Sequence, residues 1–166
     1  MDKLAFGPGP WLDEPDDHVW NDAATGLACQ IKRTFPLGHL CGYVAVAPEH
    51  PWHGLDYRAR VLVPDRSQVE IARDGGPIAL ICEVLHEDDG RMGLDVLVRV
   101  HGGLTFADQF HDQSADDPRW WFGFDCAHAG DLTPASPASL RLGVYRDWEY
   151  VKAQCARLAA QLAAVA

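Results

Sequence analysis

The C-terminal segment carries the pattern that most restricts how this chain can fold. From Asp147 onward the larger apolar residues recur at alternating intervals of three and four, at Trp148, Val151, Cys155, Leu158, Leu162 and Val165. This spacing places them along one stripe of an α-helix. Asp147 suits the N-cap position. The sequence therefore predicts a long amphipathic helix that covers one face of the protein, with a dimer interface as the alternative use of its apolar stripe.

The segments before this helix have the composition of short strands separated by turns. The runs 27–33 and 40–46 flank the turn residues of 36–39, and together they predict a hairpin. Further strand candidates are the apolar runs at 60–63, 78–85, 94–101 and 120–124. Several strands followed by one long helix predict an α+β domain, in which an antiparallel or mixed sheet carries the C-terminal helix.

Length and charge limit the number of domains and the class of partner. The 166 residues predict a single domain, 1–166, in which the Pro-, Gly- and Asp-rich residues 1–22 form an irregular N-terminal arm, held to the body by Trp11 and Trp20. The net charge of −10, from 24 acidic and 14 basic residues, disfavours a nucleic-acid partner because phosphate backbones are repelled.

Several common classes of protein lack support in the sequence. No apolar run approaches the roughly 20 residues of a membrane helix, and the N-terminus lacks the apolar stretch of a secretory signal. These features predict a cytoplasmic protein without a membrane partner. The five cysteines are scattered without CxxC spacing, which argues against a disulfide framework and a structural zinc knuckle. The GxSxG, Walker A, GxGxxG and HExxH motifs are missing from the sequence.

Residues 120–131, with the sequence WWFGFDCAHAGD, change from aromatic to polar halfway along. Asp125, His128 and Asp131 recur at every third position, which brings them to neighbouring positions in a turn or helical segment. Gly130 disfavours a helix there, so a compact loop is the better prediction. Because a buried strand would precede this loop, its base would be rigid enough to hold reactive groups in place.

A second polar loop follows the apolar run 94–101. His101 ends that run, and Gly102 and Gly103 come directly after it. Two glycines permit a sharp turn and a close approach of the backbone to a ligand. Their N–H groups could bind an oxyanion or a phosphate. The structural alternative is that the glycines only end a strand and His101 is a hydrogen-bonded core residue.

Three chemistries fit these two loops together. In the first, His101, Asp125, His128 and Asp131 hold a divalent Zn, Mn or Fe ion that activates water. In the second, no metal binds, and an aspartate orients a histidine that acts as general base. In the third, Cys126 is a nucleophile activated by a histidine. A purely structural reading remains, in which both aspartates bond to backbone N–H groups of the turn and His128 has no chemical role.

A third set of histidines lies in the first half of the chain. His50 and His53 flank Pro51-Trp52, and His39 stands in the predicted hairpin turn. The spacing of His50 and His53 is compatible with metal ligands, but the intervening proline leaves their geometry open. Histidines that anchor loops are the expected reading of this set.

Long motifs in the second half of the chain carry a resemblance. They are VHGGLTF at 100–106, WFGFDCAHAGD at 121–131 and YRDWEYV at 145–151. With them the chain resembles a family of short proteins of bacteriophage and bacterial genomes that has no known activity. The resemblance therefore implies no catalytic role, although a phage-borne distribution is compatible with host takeover or anti-defence. Residues 63–95 look longer than the family pattern and resemble an insertion.

Two functions from different classes follow as hypotheses. The first is a small hydrolase-like enzyme with a His/Asp site, with or without a metal, acting on a small or phosphorylated substrate. The rival is an acidic, non-catalytic protein that captures a host protein or a metabolite through Trp11, Trp20, Trp52 and Trp120. A structural virion component has less support, because such a role does not require clustered histidines and aspartates.

Overall fold

The computed structural model describes residues 2–62, 90–110, 117–136 and 142–166. Its strands are β1 (Asp17–Asn21), β2 (Ala28–Arg33), β3 (Leu40–Val46), β4 (Arg60–Leu62), β5 (Arg91–Gly93), β6 (Phe106–Asp108) and β7 (Trp120–Asp125). Its helices are α1 (Leu94–Leu97) and α2 (Trp148–Ala163), preceded by short 3₁₀ turns at Lys3–Phe6 and Pro10–Leu12. The strand predicted at 78–85 and most of the suggested insertion at 63–95 lie outside the described residues.

Five strands form the main sheet, in the order β1-β2-β3-β7-β6. Each neighbouring pair is antiparallel, and the predicted hairpin is the pair β2–β3. The strands β4 and β5 pair with each other in a separate two-stranded sheet. With helix α2 packed on this antiparallel sheet, the predicted α+β class is confirmed.

Helix α2 packs on the face of the sheet that β2 and β3 form. It begins after Asp147, whose carboxylate accepts a hydrogen bond from the N–H of Tyr150 at 2.8 Å, as expected of an N-cap. Val151, Cys155 and Leu158 of the predicted stripe are fully buried against the sheet. The apolar stripe is therefore used inside the protein, as predicted.

Strand β7 is buried on both of its faces. Phe122 and Phe124 belong to the core beneath α2, and Trp121 on the opposite face stacks on Phe110 with 4.9 Å between ring centroids. Burial on both sides explains why the sequence of this strand is a continuous aromatic run rather than an alternating one. The strand ends at Asp125, so the loop that follows it starts from a rigid part of the core.

The segment 94–101 was predicted as a strand, and that prediction is wrong. Its first turn is helical, which places Leu94 and Val98 four residues apart with both side chains in the core. Beyond this turn, Oε1 of Gln161 accepts a hydrogen bond from the N–H of Arg99 at 2.8 Å, and Nε2 of Gln161 donates to the Arg99 carbonyl at 3.0 Å. Because a helix side chain satisfies this backbone, no neighbouring strand is needed.

The predicted N-terminal arm is more regular than its composition suggested. Residues 17–21 of the expected irregular segment form β1, the edge strand that pairs with β2. Glu14, just before this strand, accepts a hydrogen bond from the N–H of Trp148 at 3.1 Å. The arm is thus tied both to the sheet and to the start of helix α2.

A buried arginine organises this end of the molecule. The side chain of Arg33 is fully buried and forms ion pairs with Glu14 at 2.8 Å and with Asp16 at 2.9 Å. It also donates hydrogen bonds to the carbonyl of Gly38 at 2.8 Å and to Oη of Tyr145 at 3.0 Å. One guanidinium therefore joins the N-terminal arm, the β2–β3 hairpin and the segment that leads into α2.

The four tryptophans expected to form a capture surface are buried or half-buried. Trp11 and Trp52 are buried, and Trp20 and Trp120 are half-buried and pack against the core. These four side chains therefore do not present the exposed aromatic surface that the binding hypothesis requires. Among the described residues, neither helix has the length and hydropathy needed to cross a bilayer.

Candidate functional site

His101, His128 and Asp131 meet at one place on the surface. Each offers one ligand atom, and these three atoms lie within 4.8 Å of one another, so the group could hold a metal ion. His101 lies in the turn after Val100, whereas His128 and Asp131 lie in the loop that follows β7. Two distant segments thus form one cluster, and all three of its members are residues that the sequence analysis selected.

Asp131 is the centre of this cluster, and its side chain is 1% exposed. Its Oδ2 accepts hydrogen bonds from Nε2 of His101 at 2.7 Å and from the N–H of His128 at 3.0 Å. Its Oδ1 accepts from Nε of Arg146 at 2.9 Å. Burial by itself raises the pKa of Asp131, but the hydrogen bonds from His101 and Arg146 outweigh burial and leave the pKa below its ordinary value. The carboxylate is therefore an anion near neutral pH.

Helix α2 fixes the orientation of His101. Nδ1 of the imidazole lies 3.0 Å from Oη of Tyr150, and the backbone N–H of His101 donates to Oε1 of Gln154 at 3.1 Å. Sequence reasoning did not select Tyr150, Gln154 or Arg146 as site residues. The available signal was the four-residue spacing of Tyr150 and Gln154 beside the apolar stripe, which places these two along one edge of the helix. Arg146 lies just before the helix.

Nδ1 of His128 is a buried nitrogen without a hydrogen-bond partner in the described part of the chain. It lies 3.7 Å from Oδ1 of Asp125 and 3.8 Å from Oδ2 of Asp131, which is too far for a hydrogen bond to either. The rest of the imidazole is accessible, because the side chain is 32% exposed. A buried, unpartnered imidazole nitrogen that faces two carboxylates requires an explanation.

Asp125, the fourth predicted residue, flanks the cluster without joining the group of three. Its Oδ1 accepts a hydrogen bond from the N–H of Ala127 at 3.0 Å, which is the turn-stabilising role that the structural reading assigned to it. Its side chain is 29% exposed. Asp125 is thus a solvent-accessible carboxylate beside His128.

The two glycines of the His101 turn have different surroundings. The N–H of Gly103 donates to the carbonyl of Val100 at 3.1 Å, so this amide closes the turn and cannot serve a ligand. Gly102 has φ +66°, and a Cβ added there would lie 2.1 Å from Cε1 of His128. Gly102 is therefore packed closely against the His128 ring, with no room for a side chain.

Gly102→Ala is expected to displace the imidazole of His128. The variant combines the strain of a positive φ, about 1–2 kcal/mol, with a clash that costs about 1–3 kcal/mol more. Gly54→Ala is the matched control, because Gly54 has φ +78° and open space around it. Chemical denaturation and NMR of the His128 ring measure the two effects. Equal losses of stability, together with an unmoved ring, would contradict the packing role of Gly102.

The remaining residues that the sequence analysis weighed are not part of this cluster. Cys126 is buried, and burial raises the pKa of its thiol, so it does not fit the role of a nucleophile. His50 bonds to the carbonyl of Leu162 at 3.0 Å and His53 to that of Pro118 at 2.7 Å, which makes both of them loop anchors, as expected. His39 lies in contact with Thr34, and burial lowers its pKa.

The donor set of the cluster suits a borderline metal. Two imidazole nitrogens and one carboxylate oxygen are ligands that Zn, Mn and Fe ions accept, and hard cations such as Ca prefer oxygen alone. Comparisons with protein families, with curated proteins and with solved structures find no match. The resemblance noted from the sequence therefore stays a prediction, and the proposal for function rests on the geometry of these side chains.

Proposed function

We propose that the protein is a small metal-dependent hydrolase whose divalent ion is held by His101, His128 and Asp131. The observation that carries this proposal is the buried Nδ1 of His128, which lacks a hydrogen-bond partner in the described residues and faces the carboxylates of Asp125 and Asp131. An ion placed there satisfies that nitrogen, which a metal-free site leaves without a partner.

The separations between the ligand atoms support this assignment. Ligands of a tetrahedral ion at bond lengths of about 2.0–2.1 Å are about 3.3 Å apart. The distance of 3.8 Å from Nδ1 of His128 to Oδ2 of Asp131 is close to that value. The distance of 2.7 Å from Nε2 of His101 to the same oxygen is a hydrogen bond. Ligation by both groups would replace this hydrogen bond and would require the neutral imidazole to carry its proton on Nδ1.

The surroundings of the three ligands have the properties of an outer coordination shell. With Nε2 of His101 as a ligand, the neutral imidazole would carry its proton on Nδ1 and would donate a hydrogen bond to Oη of Tyr150, which lies 3.0 Å away. Arg146 holds Oδ1 of Asp131, so that carboxylate is oriented from its far side. Such partners fix the ring and carboxylate orientations that a metal site needs.

Hydrolysis is the reaction class that these groups serve best. A divalent ion would supply Lewis-acid chemistry, which lowers the pKa of water and polarises a substrate oxygen. The chain itself supplies Asp125, an accessible carboxylate beside His128 that can accept a proton from water. His128 and Arg146, with side chains 32% and 27% exposed, mark the side from which a substrate reaches the site.

A metal-free site is the main competitor, in which Asp131 orients His101 as a general base. The hydrogen bond between these two residues supports it. However, Nδ1 of His101 faces Tyr150 and Nε2 faces Asp131, so neither ring nitrogen is directed at an incoming substrate. The metal-dependent mechanism does not require a free nitrogen on His101, and the geometry favours it for that reason.

Purification without chelators, followed by elemental analysis, tests the proposal. We expect about one equivalent of Zn, Mn or Fe per chain, and hydrolysis of at least one member of a panel of esters, phosphoesters and amides. His128→Ala is expected to lower that activity by about a hundredfold or more. His53→Ala is the control, because that imidazole anchors a loop elsewhere. A metal-free protein that hydrolyses its substrate equally well with and without His128 would overturn the proposal.

A further inference from the structure

From the geometry around Arg146 we infer that the substrate is a phosphate monoester, whose phosphate oxygens are bound by the terminal N–H groups of this arginine. The inference rests on the proposed function, since it places the phosphate between Arg146 and the ion. It also assigns a binding role to a residue that the sequence analysis did not select for the site.

Arg146 is only partly used by its protein partners. Nε donates to Oδ1 of Asp131 at 2.9 Å, and the guanidinium carbon lies 4.9 Å from the centre of the Tyr150 ring. Within the described residues, no hydrogen bond engages the two terminal nitrogens. A guanidinium has five N–H donors in a fixed plane, so four of them remain for a ligand. Its contact with the Tyr150 ring holds the guanidinium in place. The Arg146 side chain as a whole is 27% exposed to solvent.

The free donors of Arg146 lie beside the metal ligands. The two oxygens of the Asp131 carboxylate face opposite partners, Arg146 on Oδ1 and the histidines on Oδ2. One carboxylate group therefore separates the guanidinium from the ion position. A tetrahedral phosphate has oxygens far enough apart to reach both, with one oxygen on the ion and another on the terminal N–H groups. A neutral ester lacks the second anionic oxygen that this arrangement serves.

Charge also favours a dianion. The charges of Asp131 and Arg146 cancel, so among the described residues of the cluster the charge of a divalent ion is opposed only by that of Asp125. The site then carries a net positive charge on a protein whose overall charge is −10. A cationic site attracts an anion more strongly the larger the charge of that anion. A phosphate monoester carries two negative charges and a diester carries one, so the site favours the monoester.

Hydrolysis of a phosphate monoester at this site needs only water, solvent protons and Asp125 as a proton acceptor. The oxygen of water forms the new bond to phosphorus, and the bond between phosphorus and the ester oxygen breaks, with its electron pair leaving on that oxygen. Asp125 accepts the proton that water loses and later releases it to solvent, and the departing oxygen takes one proton from solvent. The products are an alcohol and inorganic phosphate, and nothing is oxidised or reduced.

The experiment compares three chromogenic substrates on the metal-loaded, full-length protein: p-nitrophenyl phosphate, bis(p-nitrophenyl) phosphate and p-nitrophenyl acetate. We expect the highest kcat/KM for the monoester, and competitive inhibition by inorganic phosphate. In Arg146→Gln, phosphate affinity should fall about tenfold to a hundredfold, because charge-assisted hydrogen bonds are lost. In Arg146→Lys, which keeps the ion pair with Asp131 but loses the planar fork, KM should rise while metal affinity stays within a few-fold.

Arg157→Gln is the matched control, since that side chain is exposed on helix α2. Preference for the diester or the acetate, or phosphate affinity unchanged in both Arg146 variants, would overturn the inference. Loss of metal in Arg146→Lys would also overturn it, because Arg146 would then act through Asp131 alone. If the protein binds no metal, the proposed function fails separately. Calorimetry with inorganic phosphate on wild type and Arg146→Gln then decides this inference, which requires weaker binding by the variant.

Discussion

Replacement of Arg33 with methionine is expected to lower the free energy of unfolding by about 3–5 kcal/mol, because it removes one partner of a buried ion cluster. The Arg33 side chain is fully buried, and the side chains of Glu14 and Asp16 are 12% and 29% exposed. Without the guanidinium, Glu14 keeps a buried negative charge and loses its cation. The link between the N-terminal arm and the β2–β3 hairpin is lost as well. Chemical denaturation of the two proteins measures the difference.

The control for this variant is Arg157→Met on the exposed side of helix α2, which should change stability by no more than about 0.5 kcal/mol. Acid unfolding gives a second readout. Burial raises the pKa of Asp16, but the hydrogen bond from Arg33 acts together with other lowering interactions, including the charges of Lys3 and Arg33, and leaves the pKa below its ordinary value of 3.8. Its stabilising contribution is therefore complete above that value and is lost as the pH falls through the lowered pKa. Arg33→Met should weaken this acid dependence, because Lys3 still lies 3.6 Å from Asp16. Equal stability of Arg33→Met and wild type would contradict the role of the cluster.

Asp131→Asn is expected to reduce metal affinity by more than about a hundredfold, because it replaces an anionic ligand that partners of the site already hold in position. Both carboxylate oxygens are used, by Arg146 on one side and by His101 and His128 on the other. In the variant, an amide NH₂ group replaces one of the two oxygens, both of which accept hydrogen bonds from neighbouring N–H groups. Two donors would then face each other, which should lower the free energy of unfolding by about 1–3 kcal/mol. Metal titration and thermal unfolding measure the two effects separately.

Asp125→Asn is the matched variant for this test. Asp125 belongs to the same loop but lies outside the group of three ligand atoms. We expect less than a tenfold change in its metal affinity and a clear loss of turnover, because its proposed function is to accept a proton from water. Equal losses of metal affinity in the two variants would show that Asp125 is a ligand. Wild-type metal affinity in both variants would show that Asp131 is not a ligand.

The sequence was sufficient to predict those elements whose apolar residues recur with the period of one type of secondary structure. The stripe of helix α2 has the helical period, and its residues pack on the sheet as that period requires. The run 94–101 has no such period, because its first four residues form a helical turn and the residues after Val98 form bends and a turn. Its backbone is satisfied by glutamines more than fifty residues away along the chain, a contact that local composition does not encode.

The site was predictable in its residue types and less so in its details. His101, His128 and Asp131 were selected because ligand-type side chains followed apolar runs, and the structure brings these three together. Arg146 and Tyr150 were missed because their contribution depends on how helix α2 lies against the His101 turn. The role of Gly102 was also unpredictable, since its contact with His128 joins segments that are distant in the chain.

Metal titration of the wild-type chain, followed by NMR of the histidine rings, tests the central claim most directly. The account predicts one tightly bound Zn, Mn or Fe ion per chain and loss of the hydrogen bond between His101 and Asp131 on binding, because ligation replaces it. It also predicts that the NMR signals of His101 and His128 shift together at one equivalent. Saturating metal that leaves both imidazoles unchanged would contradict it.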